Sequence, residues 1–271
     1  MTRFSGCMLG CAVGDSLGAS FEGTLDPQVG EMPLGCRWTD DTHMMLGIAE
    51  SLVERGGMDE EHMMHRFMEN YREEPWRGYG PGPPTIFRMV REGVPWDQAA
   101  GRLFHGEGSF GNGSAMRVAP IGLLYHRDPE QLREMAYRSS VLTHTHPLGK
   151  EGAALQAFAV SLALRADEVD PESFLEEVER FAGAEVYREK MRTARGLLEA
   201  PRKEVIRSLG HSVEAFRSVP TAIYSFARNS NDFSQAVTYA ISLGGDTDTI
   251  GAMCGSIAGA FHGEEGIPER W

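Results

Sequence analysis

The feature that most constrains the fold is the spacing of apolar residues, which follows the period of an α-helix along most of the chain. Met45, Ile48, Leu52 and Val53 fall on one stripe that Gly56-Gly57 stops, and Met63, Met64, Phe67, Met68 and Tyr71 form another. Asp128-Pro129 and Asp170-Pro171 each read as a helix cap followed by proline in the first turn. Helical spacing follows both, over 132–137 and 174–181. Asn231-Asp232 opens a further stripe through Phe233, Val237, Ala240 and Ile241, and Gly244-Gly245 ends it. No run of β-branched and aromatic residues shows the period of two that a strand requires. The Ala- and Gly-rich segments Gly149 to Ala166 and Ile250 to Phe261 suit helices packed closely inside a large bundle. The expected fold class is all-α, with no fixed-period repeat to suggest a solenoid.

The 271 residues fit a single large core, which stops growing at about 250–300 residues, and no linker composition interrupts them. One domain spanning 1–271 is expected. The 39 acidic residues outnumber the 26 Lys and Arg, and no basic run is present, so no specific nucleic-acid partner is expected. Cys7, Cys11, Cys36 and Cys254 form no CxxC pair, and three lie among small apolar residues, so buried thiols are expected rather than disulfides or zinc ligands. Thr2, Arg3 and Phe4 run into a mixed segment unlike a signal peptide. No apolar run reaches the roughly 18 residues of a membrane span. These features predict a cytoplasmic protein with no membrane partner, and a monomer is the simplest assembly.

Two short segments carry the chemistry: Thr39-Asp40-Asp41-Thr42 and Asp246-Thr247-Asp248-Thr249. Both are rich in hard oxygen donors and lack His and Cys, a set that suits Mg²⁺, Mn²⁺ or Ca²⁺ rather than zinc or copper. On a continuous helix Asp246 and Asp248 would point about 200° apart. They converge only if the segment is a turn leading into a helix, which Gly244-Gly245 before it and the apolar stripe after Ile250 allow. Asp40 and Asp41 likewise precede the Met45–Leu52 stripe. Acids and threonines also favour plain helix starts, but a cap needs one side chain rather than three or four.

Three further segments stand out. Gly14-Asp15-Ser16-Leu17-Gly18-Ala19-Ser20-Phe21-Glu22 has glycines that permit close backbone approach, with Glu22 as a candidate base or metal-shell carboxylate. The loop Gly108-Ser109-Phe110-Gly111-Asn112-Gly113 enters Ser114-Ala115-Met116-Arg117, and its amides suit a phosphate while Phe110 suits stacking on a base. It lacks the Lys-Ser/Thr of a Walker loop. Thr143-His144-Thr145-His146-Pro147 offers two histidines but no third nitrogen ligand at useful spacing, so hydrogen bonding or a structural turn is the expected role.

Taken in order, these five segments resemble the ADP-ribosylglycohydrolase family over nearly the whole chain, from Gly10 to about His262. The resemblance rests on GDxxGxxxE, TDDT, GNGxAMR and GGDTDT; Ser114 stands where Gly or Ala is common. It implies an orthogonal helical bundle with two divalent ions, Mg²⁺ or Mn²⁺, at the base of a cleft. Thr39, Asp40 and Asp41 would form one metal segment and Asp246, Asp248 and Thr249 the other, with Asp248 bridging. Glu22 and Asp41 would act on the reaction. Ser109 and Gly111 would hold the diphosphate, Phe110 the adenine and His144 the distal ribose, with Gly108, Asn112 and Gly113 also binding substrate. The Gly78-Tyr79-Gly80 loop resembles a segment near the substrate channel. The implied activity is hydrolysis of the bond between ADP-ribose and a protein side chain or small conjugate. Two other readings are a non-catalytic ADP-ribose-binding protein and a metal-dependent nucleotide phosphohydrolase. The Gly-Ser-Phe-Gly-Asn-Gly loop is similar to that of the serine- and polymer-cleaving branch.

Overall fold

A computed structural model describes residues 2–27 and 37–271, so Cys36 lies outside the described residues. Among the described residues there is no strand, and one isolated antiparallel bridge joins Gly111 and Glu214. The fold is an all-α bundle, as the apolar period predicts. No helix among the described residues is long and apolar enough to cross a membrane.

Local chemistry explains where the helices start and stop. The side chain of Asp128 accepts from the amides of Glu130 and Gln131, that of Asp170 from Ser173, and that of Asp232 from Gln235. Gly56 closes the Asp40–Arg55 helix at φ 69°, a left-handed cap that costs glycine nothing. The Met45, Ile48 and Leu52 stripe is buried, but Val53 is 82% exposed. Adjacent residues lie about 100° apart on a helix, so Val53 turns out of the face that holds Leu52. Met63, Met64 and Phe67 are buried, with Met68 and Tyr71 packed against their edge.

The centre of the bundle is an antiparallel pair, Thr2–Gly18 against Thr247–His262. Glycine recurs at every fourth position on both: Gly6, Gly10, Gly14 and Gly18 on the first, and Gly251, Gly255 and Gly259 on the second. Residues four apart share a helix face, so each helix presents bare backbone to the other. A methyl added at Gly14 would sit 2.0 Å from the Gly251 carbonyl oxygen, and one at Gly10 would sit 2.2 Å from that of Gly255. A methyl at Gly18 would meet the Thr247 carbonyl oxygen at 2.3 Å. The two backbones therefore touch directly, and the contact runs to the start of the last long helix. Cys7, Cys11 and Cys254 are free, buried thiols in this core.

Candidate active site

Two helix starts meet at one cleft. Asp40 and Asp41 occupy the first turn of Asp40–Arg55, so they lie inside the helix rather than in a turn ahead of it. Asp246 caps Thr247–His262 with ψ 69°, outside the helical range, while Asp248 stands in its first turn. That break in the backbone lets the two side chains converge where a continuous helix would have parted them. Gly244 and Gly245 make the approach at φ 77° and 76°. The Gly245 amide donates to the Thr24 carbonyl at 2.9 Å and its carbonyl accepts from Gly23 at 2.8 Å. This pairing sets Glu22 beside the second acidic segment. Ligand atoms of Glu22, Asp246 and Asp248 all lie within 4.8 Å of one another.

The cleft encloses about 350 Å³. One wall is Glu22, Asp40, Asp41, Asp246, Asp248 and Thr249, with Gly78, Gly80 and Pro81 at its edge. The facing wall is Ser109, Gly111, Asn112, Gly113 and His144, and Leu103, Phe104 and Val213 also border the space. Thr39 lies just behind the acidic wall, its hydroxyl 3.0 Å from Asp41 Oδ2. Gly108 and Phe110 do not line the cleft. Gly108 packs on Thr145, and the half-exposed Phe110 ring lies edge-on to His146.

The acidic wall is electrostatically crowded. Burial and Asp246 with Glu22 push Asp248 up to about 9. Burial, with Asp15, Asp246 and Glu22 nearby, raises Asp40 to about 7. Asp41 is driven well above the usual carboxylate range by burial and by Asp248, Asp15 and Asp40. Burial also raises Asp246, and Glu22 rises through burial, Asp246 and Asp15. Such a group of carboxylates cannot all ionise in a low-dielectric cleft without positive charge among them. Asp41 Oδ1 is buried with no hydrogen-bond partner. An all-oxygen donor set with an unsatisfied carboxylate oxygen fits a hard divalent cation.

The glycine loop is partly committed to itself. Gly111 donates its amide to Ser109 Oγ at 3.1 Å, and Asn112 donates its amide to the Val213 carbonyl at 2.9 Å. The Asn112 carboxamide turns to Asp246 Oδ2 at 2.5 Å and Ser218 Oγ at 3.0 Å, joining the two walls. His144 pairs through Nδ1 with the Thr143 hydroxyl at 2.7 Å and packs under Gly113, where a methyl would lie 2.8 Å from its ring. Burial and the Arg117 charge hold His144 down to about 3, so it stays neutral near pH 7. His146 caps the Pro147–Arg165 helix through Nδ1, the structural role its place before Pro147 suggests.

Two residues lining the cleft carry no role in the sequence reading: Arg117, present there only as the end of GNGxAMR, and Phe104, which no local pattern marks. Arg117 is fully buried at the cleft wall, its guanidinium 4.7 Å from the Phe67 ring and donating to the Ser139 carbonyl at 2.9 Å. Burial lowers it to about 9. Phe104 and His105 at the rim hold φ 52° and 59°, rare for residues with a side chain. Phe104 remains 57% exposed at the cleft mouth, where an aromatic ring is free to meet a ligand.

A profile of the ADP-ribosylglycohydrolase family matches residues 1–271. The chain belongs to the ADP-ribosylglycohydrolase family. It is 38% identical to ADP-ribosylhydrolase ARH3 of Gallus gallus, over 99% of this chain and 88% of that protein. It is 36% identical to the ARH3 of Homo sapiens, over 100% and 88%. The ADP-ribosylarginine hydrolase Tri1 of Pseudomonas putida is 28% identical, over 100% of this chain and 73% of its own. A solved structure titled ADP-ribosylglycohydrolase-related protein complex superposes with a TM-score of 0.79 at 34% identity, over 99% of this chain and 90% of that one. As a member of the ADP-ribosylglycohydrolase family the protein is an enzyme, a hydrolase of ADP-ribose conjugates.

Proposed function

We propose that the protein, a single domain over 1–271 acting as a monomer, releases ADP-ribose from serine-linked ADP-ribosyl proteins with two Mg²⁺ or Mn²⁺ ions. The observation that carries this reading is the meeting of five carboxylates from two helix starts and the Glu22 segment on one cleft. Thr39, Asp40 and Asp41 would hold the cations from one side, and Asp246, Asp248 and Thr249 from the other. Divalent ions there would neutralise the carboxylates and supply a Lewis acid for the ribose hydroxyls.

The rest is the work of the chain. Asp248, grouped with Glu22 and Asp246 on the crowded wall, would serve both ions. Glu22 stands at the cleft edge and is more exposed than the aspartates, with its affinity for a proton raised by burial, Asp246 and Asp15. A carboxyl tuned upward in this way suits general acid–base work on water or on the leaving oxygen. Asp41, with one partnerless oxygen, would share in fixing the reacting groups. Ser109, Gly111, Asn112 and Gly113, which line the cleft, would meet the diphosphate, and the half-exposed Phe110 ring the adenine. His144, neutral and fixed by Thr143, would hydrogen-bond the distal ribose without changing charge.

The loop similar to the serine- and polymer-cleaving branch supports the choice of acceptor. So does the higher identity to the ARH3 hydrolases than to the ADP-ribosylarginine hydrolase. The test is ADP-ribose release, followed by mass spectrometry, from matched serine-linked and arginine-linked peptides in Mg²⁺. Faster cleavage of the serine-linked peptide is the expected outcome. Preference for the arginine-linked peptide would reverse the acceptor assignment, and release of phosphate instead would sink the glycohydrolase reading.

A further inference from the structure

A sixth carboxylate lies behind the acidic wall and takes no part in lining it. Asp15 is fully buried on the first helix, between Gly14 and Gly18 of the glycine contact. It accepts from the Thr39 amide at 3.0 and 2.9 Å on its two oxygens, and from the Thr42 amide at 3.1 Å. It also lies 2.9 Å from the Thr39 hydroxyl and 2.5 Å from the Thr42 hydroxyl. Thr39 is the N-cap of Asp40–Arg55, yet its own side chain makes no capping bond. Asp15 supplies the missing acceptor from another helix, a cap in trans.

The Thr39 hydroxyl has one proton and two carboxyl oxygens in reach, Asp15 Oδ1 at 2.9 Å and Asp41 Oδ2 at 3.0 Å. The proton can serve only one of them. Asp15 already accepts from two amides and from the Thr42 hydroxyl, so donors crowd both of its oxygens and call on it as an acceptor. A hydroxyl that donates to Asp15 turns its lone pairs toward Asp41, so that once Asp41 is ionised two oxygens stand face to face with no hydrogen between them. That arrangement is repulsive alone and favourable around a cation.

We propose that Asp15 is a positioning residue, which accepts the hydrogen bond of the Thr39 hydroxyl and so turns the lone pairs of the Thr39 oxygen toward a cation beside Asp41. The inference rests on the cation-site reading above and adds the group that sets the site's polarity. An asparagine here would keep the shape but place an amide donor among the donors of Thr39 and Thr42. With the amide nitrogen in place of Oδ1, the Thr39 hydroxyl would have to reverse and send its proton toward Asp41.

The test is isothermal titration of cation-stripped protein with Mn²⁺, comparing wild type, D15N and T42V, with circular dichroism and Tm recorded for each. D15N should fold and bind Mn²⁺ roughly 10–100-fold more weakly, the usual cost of losing a group that orients a metal ligand. T42V removes one bond to Asp15 without touching the Thr39 proton, so it should lower Tm while leaving Mn²⁺ affinity close to wild type. High Mg²⁺ should restore turnover to D15N, which a general loss of structure would not allow. If D15N does not fold, D15S, which leaves an acceptor and room for water, enters the same comparison. Unchanged Mn²⁺ affinity in the folded variant, beside a binding wild type, overturns the role of Asp15 alone. A wild type that binds no Mn²⁺ overturns the cation site and this inference together.

Discussion

The two helix starts that form the acidic wall are held by different physics. Asp40–Arg55 begins under a ring of hydrogen bonds to Asp15, a side chain that can be replaced with nearly equal shape. Thr247–His262 begins at the end of a glycine contact, where backbone meets backbone and a single methyl has no room. Thr247 adds one bond of its own, its hydroxyl donating to the Gly18 carbonyl at 2.9 Å. One start therefore depends on chemical identity and the other on absence of volume. Both requirements fall on the first helix: Asp15 lies between Gly14 and Gly18, so one segment registers both halves of the wall.

The contrast is most directly broken at the glycine contact. G14A should destabilise the protein by about 3 kcal/mol, the upper end for forcing a methyl into a packed interior, because the obstacle is a carbonyl on rigid helix. Urea unfolding measures this, and a loss below about 1 kcal/mol would mean that the helices separate easily.

Cations should sharpen the comparison by tying the two starts together. Mg²⁺ at a hundred times its dissociation constant should stabilise the chelator-treated protein by about 2.7 kcal/mol. D248N should lose most of that gain, and a Tm indifferent to Mg²⁺ in the wild type would count against a shared site.

The facing wall supplies a pH test independent of the carboxylates. His144 is held below its ordinary 6.5, to about 3, so below pH 6.5 the unfolded chain takes up a proton that the folded chain refuses. Its contribution is complete above pH 6.5 and is lost as pH falls toward 3. Between pH 5.5 and 4.5 the stability of wild type should fall relative to H144N by up to about 1.4 kcal/mol. Parallel urea midpoints for the two proteins across that interval would show that His144 accepts a proton in place.

The smallest effect is a control for the glycine argument. Gly196 ends the Glu185–Gly196 helix, and a methyl added there would meet nothing within 4 Å. G196A should therefore stabilise slightly, by about 0.5 kcal/mol, through helix propensity and lost freedom of the unfolded chain. Destabilisation like that of G14A would detach the glycine effect from packing.

The helices are legible in the sequence because their signals are local. Asp128, Asp170 and Asp232 act within three residues, and the buried stripes repeat every turn. Val53 misleads because a stripe read from spacing admits a neighbour that the helix turns outward. The acidic segments are legible as donors, and the glycine pair before Asp246 announces the turn that brings Asp246 and Asp248 together. Asp15 is not legible as a cap: it sits in the GDxxGxxxE segment, but its partners lie 24 and 27 residues away on another helix. The same holds for Asn112, whose carboxamide bonds Asp246, 134 residues further along the chain. The four-residue glycine spacing is visible on each helix, but nothing local says that the two faces meet.

A cation-organised reaction is tested most directly by ADP-ribose release from a serine-linked ADP-ribosyl peptide by cation-stripped protein, before and after Mg²⁺ is restored, beside D248N. No turnover is expected without the cation, with recovery on its return and little recovery in D248N. Full activity in the stripped wild type, or D248N matching it in Mg²⁺, would contradict a reaction organised by cations between the two helix starts.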